Sequence, residues 1–514
     1  MTRTSKSQSR VLSIPELLEN IFGQADRKSN SLNLLVCKLW LDVCLPVLWR
    51  HLDGPADLRQ LLRILAPLTN DGDTATPAQK CVRIPQNGDW ERFQRYASLV
   101  RSIVFTNNHY CGPALNLIGN LRPVLNLFPN LRSLQCSVRN SRAFDTAIDV
   151  IAIFMHPNVR RFIARIPDMS PCIDTISRMH DLVYLELTME TDANSFRQLM
   201  ENLHFLEEVV LPPLQATGPI LQILSRHPTL RESKSHDHNS TIHQFSEFSA
   251  TECPFEEGAF PALHTLTAAG EAALLSHLIN DPFFPSGLRC LHLETRDQAP
   301  SETVQSITAA IPVTSPNLKV FSFRDTFFSP DPSDVPIHER RTITLPILQP
   351  LLAGLQLTTL RIRQIYCLRM SAGDMAELAR AIPLIEVLFL NEEPFEEDSN
   401  SDLTLDTLAV FAEHCPNLQA LGIYINATKP HTQDLTTLHP FTSLRSFHIG
   451  ASWIAPANVG TVALFLVQIL PPWCKICSET GNVYLSTHVW LDVARVLPML
   501  AQMRELVLRS GRRT

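Results

Sequence analysis

Apolar residues recur along most of this chain in one spacing: an apolar position, two variable ones, a second apolar position, one variable, and a third. The unit appears at Val100-Ile103-Phe105, Leu131-Leu134-Cys136, Leu182-Leu185-Leu187 and Leu206-Val209-Leu211. It returns at Leu263-Leu266, Leu288-Leu291-Leu293, Leu318-Phe321-Phe323, Leu357-Leu360-Ile362, Ile385-Leu388-Leu390, Leu418-Leu421-Ile423, Leu444-Phe447-Ile449 and Met503-Leu506-Leu508. Val159-Phe162 and Leu230 are degraded copies. The last two apolar positions lie two apart, so both point to one side of a short strand. Stripes of helical spacing run between the units: Leu117, Leu121, Val124, Leu125 and Phe128; Phe196, Leu199, Met200 and Leu203; Leu405, Leu408, Phe411 and Ala412. A Pro-Asn-Leu junction leads into the strands that follow Phe128, Ser315 and Cys415. A lone strand–helix unit leaves a face uncovered, and stacking neighbours closes a continuous core. The expectation is an α/β arc over residues 99–510, with parallel strands on the concave face and helices on the convex face. A non-repetitive, leucine-rich α/β domain is the alternative.

The stretch from Leu12 to Leu52 is patterned differently. About half of its positions are large and apolar, far more than a piece this short can bury alone. Three short helices are expected. Ser13-Ile14-Pro15-Glu16 reads as a capping box that opens a stripe of Leu17, Leu18, Ile21 and Phe22, with Gly23 as its stop. Ser29 or Ser31 would cap a second helix carrying Leu32, Leu35, Val36, Leu39 and Trp40. Pro46 would open a third with Val47, Leu48 and Trp49. The surplus apolar surface is either a docking face for another protein or a helical cap on the larger core. Residues 1–10 are polar and basic and are expected to be a disordered tail, and residues 54–98 a helical connector. Thr69–Pro85, Ser233–Gly258, Asp325–Arg341 and Asn391–Asp402 read as interrupting loops.

Composition narrows the function classes. At 514 residues the chain is too long for one simple core unless it is a solenoid. It is 45% hydrophobic and 18% charged, with a net charge of −7, so a broad footprint for nucleic acid is not expected. Val462–Leu470, the most apolar later stretch, is too short to span a bilayer. Twelve scattered cysteines without framework spacing suit reduced thiols in a cytoplasmic or nuclear protein.

Candidate chemistry is sparse. Cys474-x-x-Cys477 has metal-ligand spacing but no second pair, with His488 the only nearby addition. His236, His238 and His243 sit with Asp237 in a polar stretch that reads as solvated loop. Neither a nucleophile elbow, a phosphate-binding glycine loop nor a paired-histidine metalloprotease motif is present. No catalytic residue, metal or cofactor is therefore expected. If the strands line a concave face, their variable residues point toward a ligand: Tyr184, Glu186, Glu208, His292, Arg324, Arg361, Arg363, Phe389 and Tyr424. Arg361 and Arg363 share a face, and either grip an acidic or phosphorylated segment or are ordinary surface charge.

Two resemblances follow. Ile14-Pro15-Glu16, Ile21-Phe22, Val36-Cys37-Lys38-Leu39-Trp40 and Leu48-Trp49-Arg50 stand in the order of an F-box, and residues 11–53 resemble that family. The match departs at Gly23–Asn30, which is polar. The resemblance implies binding to a Skp-type adaptor, and through it to a cullin ubiquitin ligase, by Ile14, Pro15, Glu16, Leu17, Ile21, Phe22, Val36, Trp40, Leu48 and Trp49. Residues 99–510 resemble leucine-rich repeats, with successive starts at a similar period, as from 182 to 206 and from 385 to 418. That family's turn asparagine is mostly missing: Asn108 and Asn426 hold its place in their repeats, but Arg296 and Thr326 stand there in two others. Together the resemblances imply a non-catalytic substrate receptor of a cullin ligase, its repeats holding a protein substrate. The alternatives are a scaffold with no role in ubiquitin transfer, and an enzyme concealed in a divergent α/β domain.

Overall fold

The computed structural model describes residues 12–71, 78–106, 112–137, 150–165, 173–188, 191–236, 255–295, 297, 299–325, 342–394, 403–429, 431–432, 438–477 and 485–511. The expected N-terminal tail lies outside them, as do His238, His243, Asn108, Arg296, Thr326 and most of the three later interrupting loops. The chain divides into two compact units, residues 1–212 and 213–514.

The first unit opens with three helices, Pro15–Gln24, Arg27–Asn33 and Lys38–Trp49. Their number matches the sequence expectation but their ends do not. The first helix runs through Gly23, and its N-cap is Ile14, one residue after the serine expected there. Asp26, rather than either serine, caps the second helix by accepting from the amide of Ser29. Residues 34–37 break the chain before the third helix, which carries Pro46 in its interior instead of starting there. Leu18, Phe22 and Cys44 are the buried core of this bundle, with Leu34, Leu39, Trp40, Val43 and Val47 packed round them. Asn30 is buried and ties the turn together, donating from Nδ2 to the carbonyl of Phe22 at 2.8 Å.

The helices lead directly into a parallel sheet. β1 (His51–Leu52) pairs with β4 (Ser102–Thr106), followed in order by β5 (Ser133–Ser137), β6 (Arg161–Arg165), β7 (Tyr184–Leu187) and β8 (Glu208–Leu211). The solenoid thus begins at residue 51, inside the stretch assigned to the box. The connector holds helices Pro55–Leu65 and Asn87–Ala97 and an antiparallel hairpin of β2 (Leu68–Asp71) and β3 (Ala78–Cys81), where a plain loop was expected. The helix Gly112–Leu121 stops short of Pro123 and buries Ala114, Leu115 and Ile118; Leu125 of the expected stripe is exposed, because proline cannot continue the turn.

The second unit repeats the plan over nine parallel strands among the described residues: β9 (Glu232–Ser235), β10 (Thr265–Gly270), β11 (Cys290–Thr295), β12 (Val320–Asp325), β13 (Thr359–Arg363), β14 (Val387–Leu390), β15 (Ala420–Ile423), β16 (Ser446–His448) and β17 (Lys475–Cys477). The register stacks like residues. Leu266, Leu291, Phe321, Leu360, Leu388, Leu421 and Phe447 form one continuous buried row. Most strands are followed by a helix, β9 and β15 being followed by the next strand among the described residues, and successive helices pack on one another from Ala272–Ile279 to Leu485–Gly511. Neighbouring strands lie about 4.8 Å apart and packed helices about 8–10 Å apart, which bends each unit toward its strand side.

The Pro-Asn-Leu junctions explain the regularity. Leu131, Leu318 and Leu418 each donate their amide to the carbonyl three residues back, closing a turn whose second position is the proline. Asn130 and Asn158 then reach back to the carbonyls of Ser98 and Pro129, both at 2.8 Å, so each turn is stitched to the one before. The end of the array departs from expectation. Met503-Leu506-Leu508 is not a strand; it lies in the helix Leu485–Gly511, and the last strand is β17. A terminal repeat needs a cap, and this helix supplies it: Trp490 is fully buried and donates Nε1–H to the carbonyl of Ser452 at 2.8 Å.

Candidate functional site

Two surfaces stand out. The first is on the helical bundle. Ile14, Leu17 and Ile21 form a helical stripe beside that of Leu18 and Phe22, and all three are exposed. Leu32, Leu35 and Val36 expose a second apolar run where the second helix gives way to the third, Leu35 to 82%. Pro15 and Glu16 are also exposed, and Leu48 is half-buried. Trp40 is half-buried, packed edge-on to Phe22 at 5.2 Å, with its indole N–H donated to the carbonyl of Leu12.

Two of the residues expected to dock are turned inward. Phe22 is 1% exposed, because it falls one helical turn after Leu18 on the core stripe. Trp49 is buried against Tyr96, ring centroids 5.5 Å apart, beneath the guanidinium of Arg27 at 5.6 Å. Arg27 also donates to the carbonyl of Leu48 at 3.1 Å and pairs with Asp57 at 3.3 Å. Trp49 therefore anchors the bundle to the connector instead of facing out. Leu32 and Leu35 take its place on the surface. The helix break that exposes them falls in a run whose apolar spacing alone reads as continuous helix.

The second surface is the strand face. In the first unit Arg161, Tyr184 and Glu208 stand side by side in register. Arg161 lies 3.5 Å above the ring of Tyr184, whose hydroxyl donates to Glu186 at 2.6 Å. Burial, together with that carboxylate, raises the pKa of the Tyr184 hydroxyl. Glu186 is buried, so this cluster is inward-knit rather than open. In the second unit Tyr424 lies just past β15 and is buried, so it does not face a ligand as expected.

The remaining residues come together. His292, Ser322, Arg361 and Phe389 occupy one row across β11 to β14, and Glu294, Arg324 and Arg363 the next. They line a cavity of about 480 Å³ with Lys234, His236 and Glu392. Arg361 sits over the ring of Phe389 at 4.8 Å, and Phe389 in turn meets the ring of His448 at 4.9 Å. That last contact spans a strand, because the residue between them is Gly422. Arg363 pairs with Glu393 at 2.9 Å. Burial raises the carboxyl pKa of Glu392 and lowers the imidazole pKa of His448.

Turn amides in this unit are met by residues the repeat pattern does not mark. Asn391, at φ +50°, accepts from the amide of Gln364 and donates to the carbonyl of Tyr366. Gln364 accepts from the amide of Ile343. Asn426, which the pattern does mark, accepts from Thr428. Among the described residues no trio of His, Cys, Asp or Glu is placed to hold a metal ion. The thiol of Cys474 is pushed up to about 12, first by burial and then by Cys477. No described helix is long and apolar enough to cross a membrane.

No protein-family model matches the chain, and no curated protein matches it. Among solved structures it is similar to the crystal structure of the Rad7 and Elc1 complex in yeast, with 14% identity over 86% of this chain and 94% of that one and a TM-score of 0.40. It is also similar to the leucine-rich-repeat-containing protein LegL7 from Legionella pneumophila, with 11% identity over 75% and 93% of the two chains and a TM-score of 0.33. A chain of the Toll–Spatzle complex from Drosophila shares 12% identity over 80% of this chain and 54% of its own, with a TM-score of 0.36. Likeness at this level concerns fold alone. With the strand ladders described above, the two units are leucine-rich-repeat-like solenoids of parallel strands backed by helices.

Proposed function

We propose that this chain is a non-catalytic substrate receptor: the helical bundle docks on a Skp-type adaptor as an F-box does, the adaptor links it to a cullin ubiquitin ligase, and the strand face holds a protein client. The observation that carries the reading is the exposure of Ile14, Leu17, Ile21, Leu35 and Val36 on a bundle whose own fully buried core is only Leu18, Phe22 and Cys44. Such surface is costly to leave in water at roughly 25 cal/mol per Å², and a partner helix would cover it. The receptor then acts by proximity, raising the local concentration of client at another subunit's active site.

The test is capture of purified adaptor and cullin by the full chain, compared with Leu17→Asp/Leu35→Asp. Both positions are solvent-facing, so the double variant is expected to fold and to lose the adaptor. Undiminished capture by that variant removes the F-box reading. Capture of adaptor without cullin, and with no client ubiquitinated, favours a scaffold.

A further inference from the structure

We infer that the strand-face cavity of the second unit is a slot for one neutral aromatic ring, inserted over Ser322 between the imidazole of His292 and the guanidinium of Arg361. The inference rests on the proposal that the strand face holds the client, and it names the group that is held.

His292, Ser322, Arg361, Phe389, Gly422 and His448 stand in one outward row across β11 to β16. Planar groups in this row are spaced by small residues: Ser322 separates His292 from Arg361 as Gly422 separates Phe389 from His448. Over Gly422 the flanking rings close on each other, centroids 4.9 Å apart. At the other gap His292, Ser322 and Arg361 all line the cavity of about 480 Å³. Two strand spacings of about 4.8 Å set His292 and Arg361 about 10 Å apart at the backbone. A ring with an atomic contact on each face needs about 7–8 Å, and the concave bend brings side-chain tips closer than their backbones. Phe389 covers one side of the exposed Arg361 guanidinium at 4.8 Å; the next positions along the row on its other side are Ser322 and His292.

The charges of the lining are already matched. Lys234 pairs with Glu232 and Arg363 with Glu393, and the carboxylate of Glu392 feels both Arg361 and Arg363. Glu294 stands beside Arg324 in register. An incoming ion would have to displace these partners, whereas a neutral ring displaces none. A guanidinium stacks on an aromatic face and keeps its in-plane donors for other groups. The chain's net charge of −7 lacks the basic surface that a nucleic-acid backbone requires, which favours a protein side chain over a nucleobase as the source of the ring. Tyrosine and tryptophan are also the side chains on which protein interfaces most depend for affinity. The cavity has room for either, with part of its backbone.

The test is ligand-observed NMR titration of the full chain with N-acetyltryptophanamide, N-acetylcyclohexylalaninamide, N-acetylleucinamide and adenosine, repeated on Ser322→Val, Arg361→Lys and Phe389→Leu. Folding is checked by circular dichroism, and adaptor capture is measured on the same samples. The tryptophan amide is expected to bind at least about threefold more tightly than the two non-aromatic amides. Ser322→Val fills the slot from its floor and is expected to weaken that binding by about tenfold or more. Arg361→Lys keeps the charge but removes the plane, so a fall of about twofold to tenfold is expected, with a smaller fall in Phe389→Leu. Should Ser322→Val misfold, the other two variants carry the comparison. A pool of peptides each holding one tryptophan or tyrosine that binds more tightly than the amide identifies a protein segment as the source of the ring; equal affinity identifies a free aromatic molecule. Equal binding of aromatic and non-aromatic amides, tighter binding of adenosine than of the tryptophan amide, or no loss in any folded variant overturns the inference. Adaptor capture is expected to stay unchanged throughout, so loss of ring binding and loss of the docking function are read separately.

Discussion

Gly422→Ala is the sharpest test of how the strand face is built. In an ordinary strand this change stabilises by about 0.5–1 kcal/mol, because glycine loses the most backbone freedom on folding. Here a Cβ at position 422 would lie 2.4 Å from Cδ1 and 2.8 Å from Cε1 of Phe389. The ring must turn away, and in doing so it gives up the stack on His448 and the contact beneath Arg361. An aromatic pair contributes about 0.5–1.5 kcal/mol and a surface cation–π contact about 0.5–1. Set against the backbone gain, the net runs from about zero to a loss of about 2 kcal/mol. Urea denaturation followed by circular dichroism measures it, with Phe389→Leu and the double variant completing a cycle. In the Phe389→Leu background the alanine meets a smaller, more adaptable side chain, so its cost should shrink or reverse sign. A stabilising Gly422→Ala in the wild-type background, or one whose effect is the same in both backgrounds, would refute the account of Phe389 as a shelf held in place by the missing side chain.

Other expectations follow from single residues. Asn391→Ala should destabilise the second unit by about 2–4 kcal/mol, since it strands the buried amide of Gln364, removes one of the two donors to the carbonyl of Tyr366 and puts alanine at φ +50°; thermal unfolding checks this, and Asn391→Asp should cost less. Leu18→Ala should cost about 2–5 kcal/mol and abolish adaptor capture by unfolding the bundle, whereas Leu17→Asp should abolish capture with the helical signal intact. Asp89 is held at about 2, below its usual value of 3.8, first by hydrogen bonding to Arg83 and next by the amide of Gln86. A carboxyl lowered in the folded state stabilises above its unfolded pKa and loses that contribution as pH falls toward the folded one. The melting temperature of wild type should therefore drop relative to Asp89→Asn between about pH 4 and pH 2, and parallel curves would count against the cap.

The solenoid was legible because its inward positions obey a rule that sequence carries directly. Leu291, Phe321, Leu360 and Leu388 each fill the same slot, so size and polarity recur at fixed spacing. The ends of the array were harder. Met503, Leu506 and Leu508 show the repeat spacing, yet the interval of three between Met503 and Leu506 is also that of neighbours on one helical side. Only the need to cap the last repeat, met by Trp490 against Ser452, decides for helix. The bundle shows the same limit. Leu17 and Phe22 look alike as sequence, and which one faces water depends on where the second and third helices cross. Within the strand-face set, Tyr424 is buried because the strand ends one residue earlier, at Ile423.

What separates the two surfaces is how each is supported. The bundle face is apolar and shallow, and its shape is fixed by few residues: a three-residue core, one buried asparagine, and the Arg27–Trp49–Tyr96 stack on the connector. Losing any of these should move the face as a whole, so binding there is coupled to folding of the bundle. The strand cavity is polar and rests on a ladder whose rows are fixed by seven or more paired strands, so exchanging one outward side chain leaves its neighbours in register. Outward positions are thus free to vary without unfolding the array, which suits a surface that sets specificity. Gly422 is an exception: it is an outward position constrained by a neighbour's ring, since a Cβ there would meet Phe389.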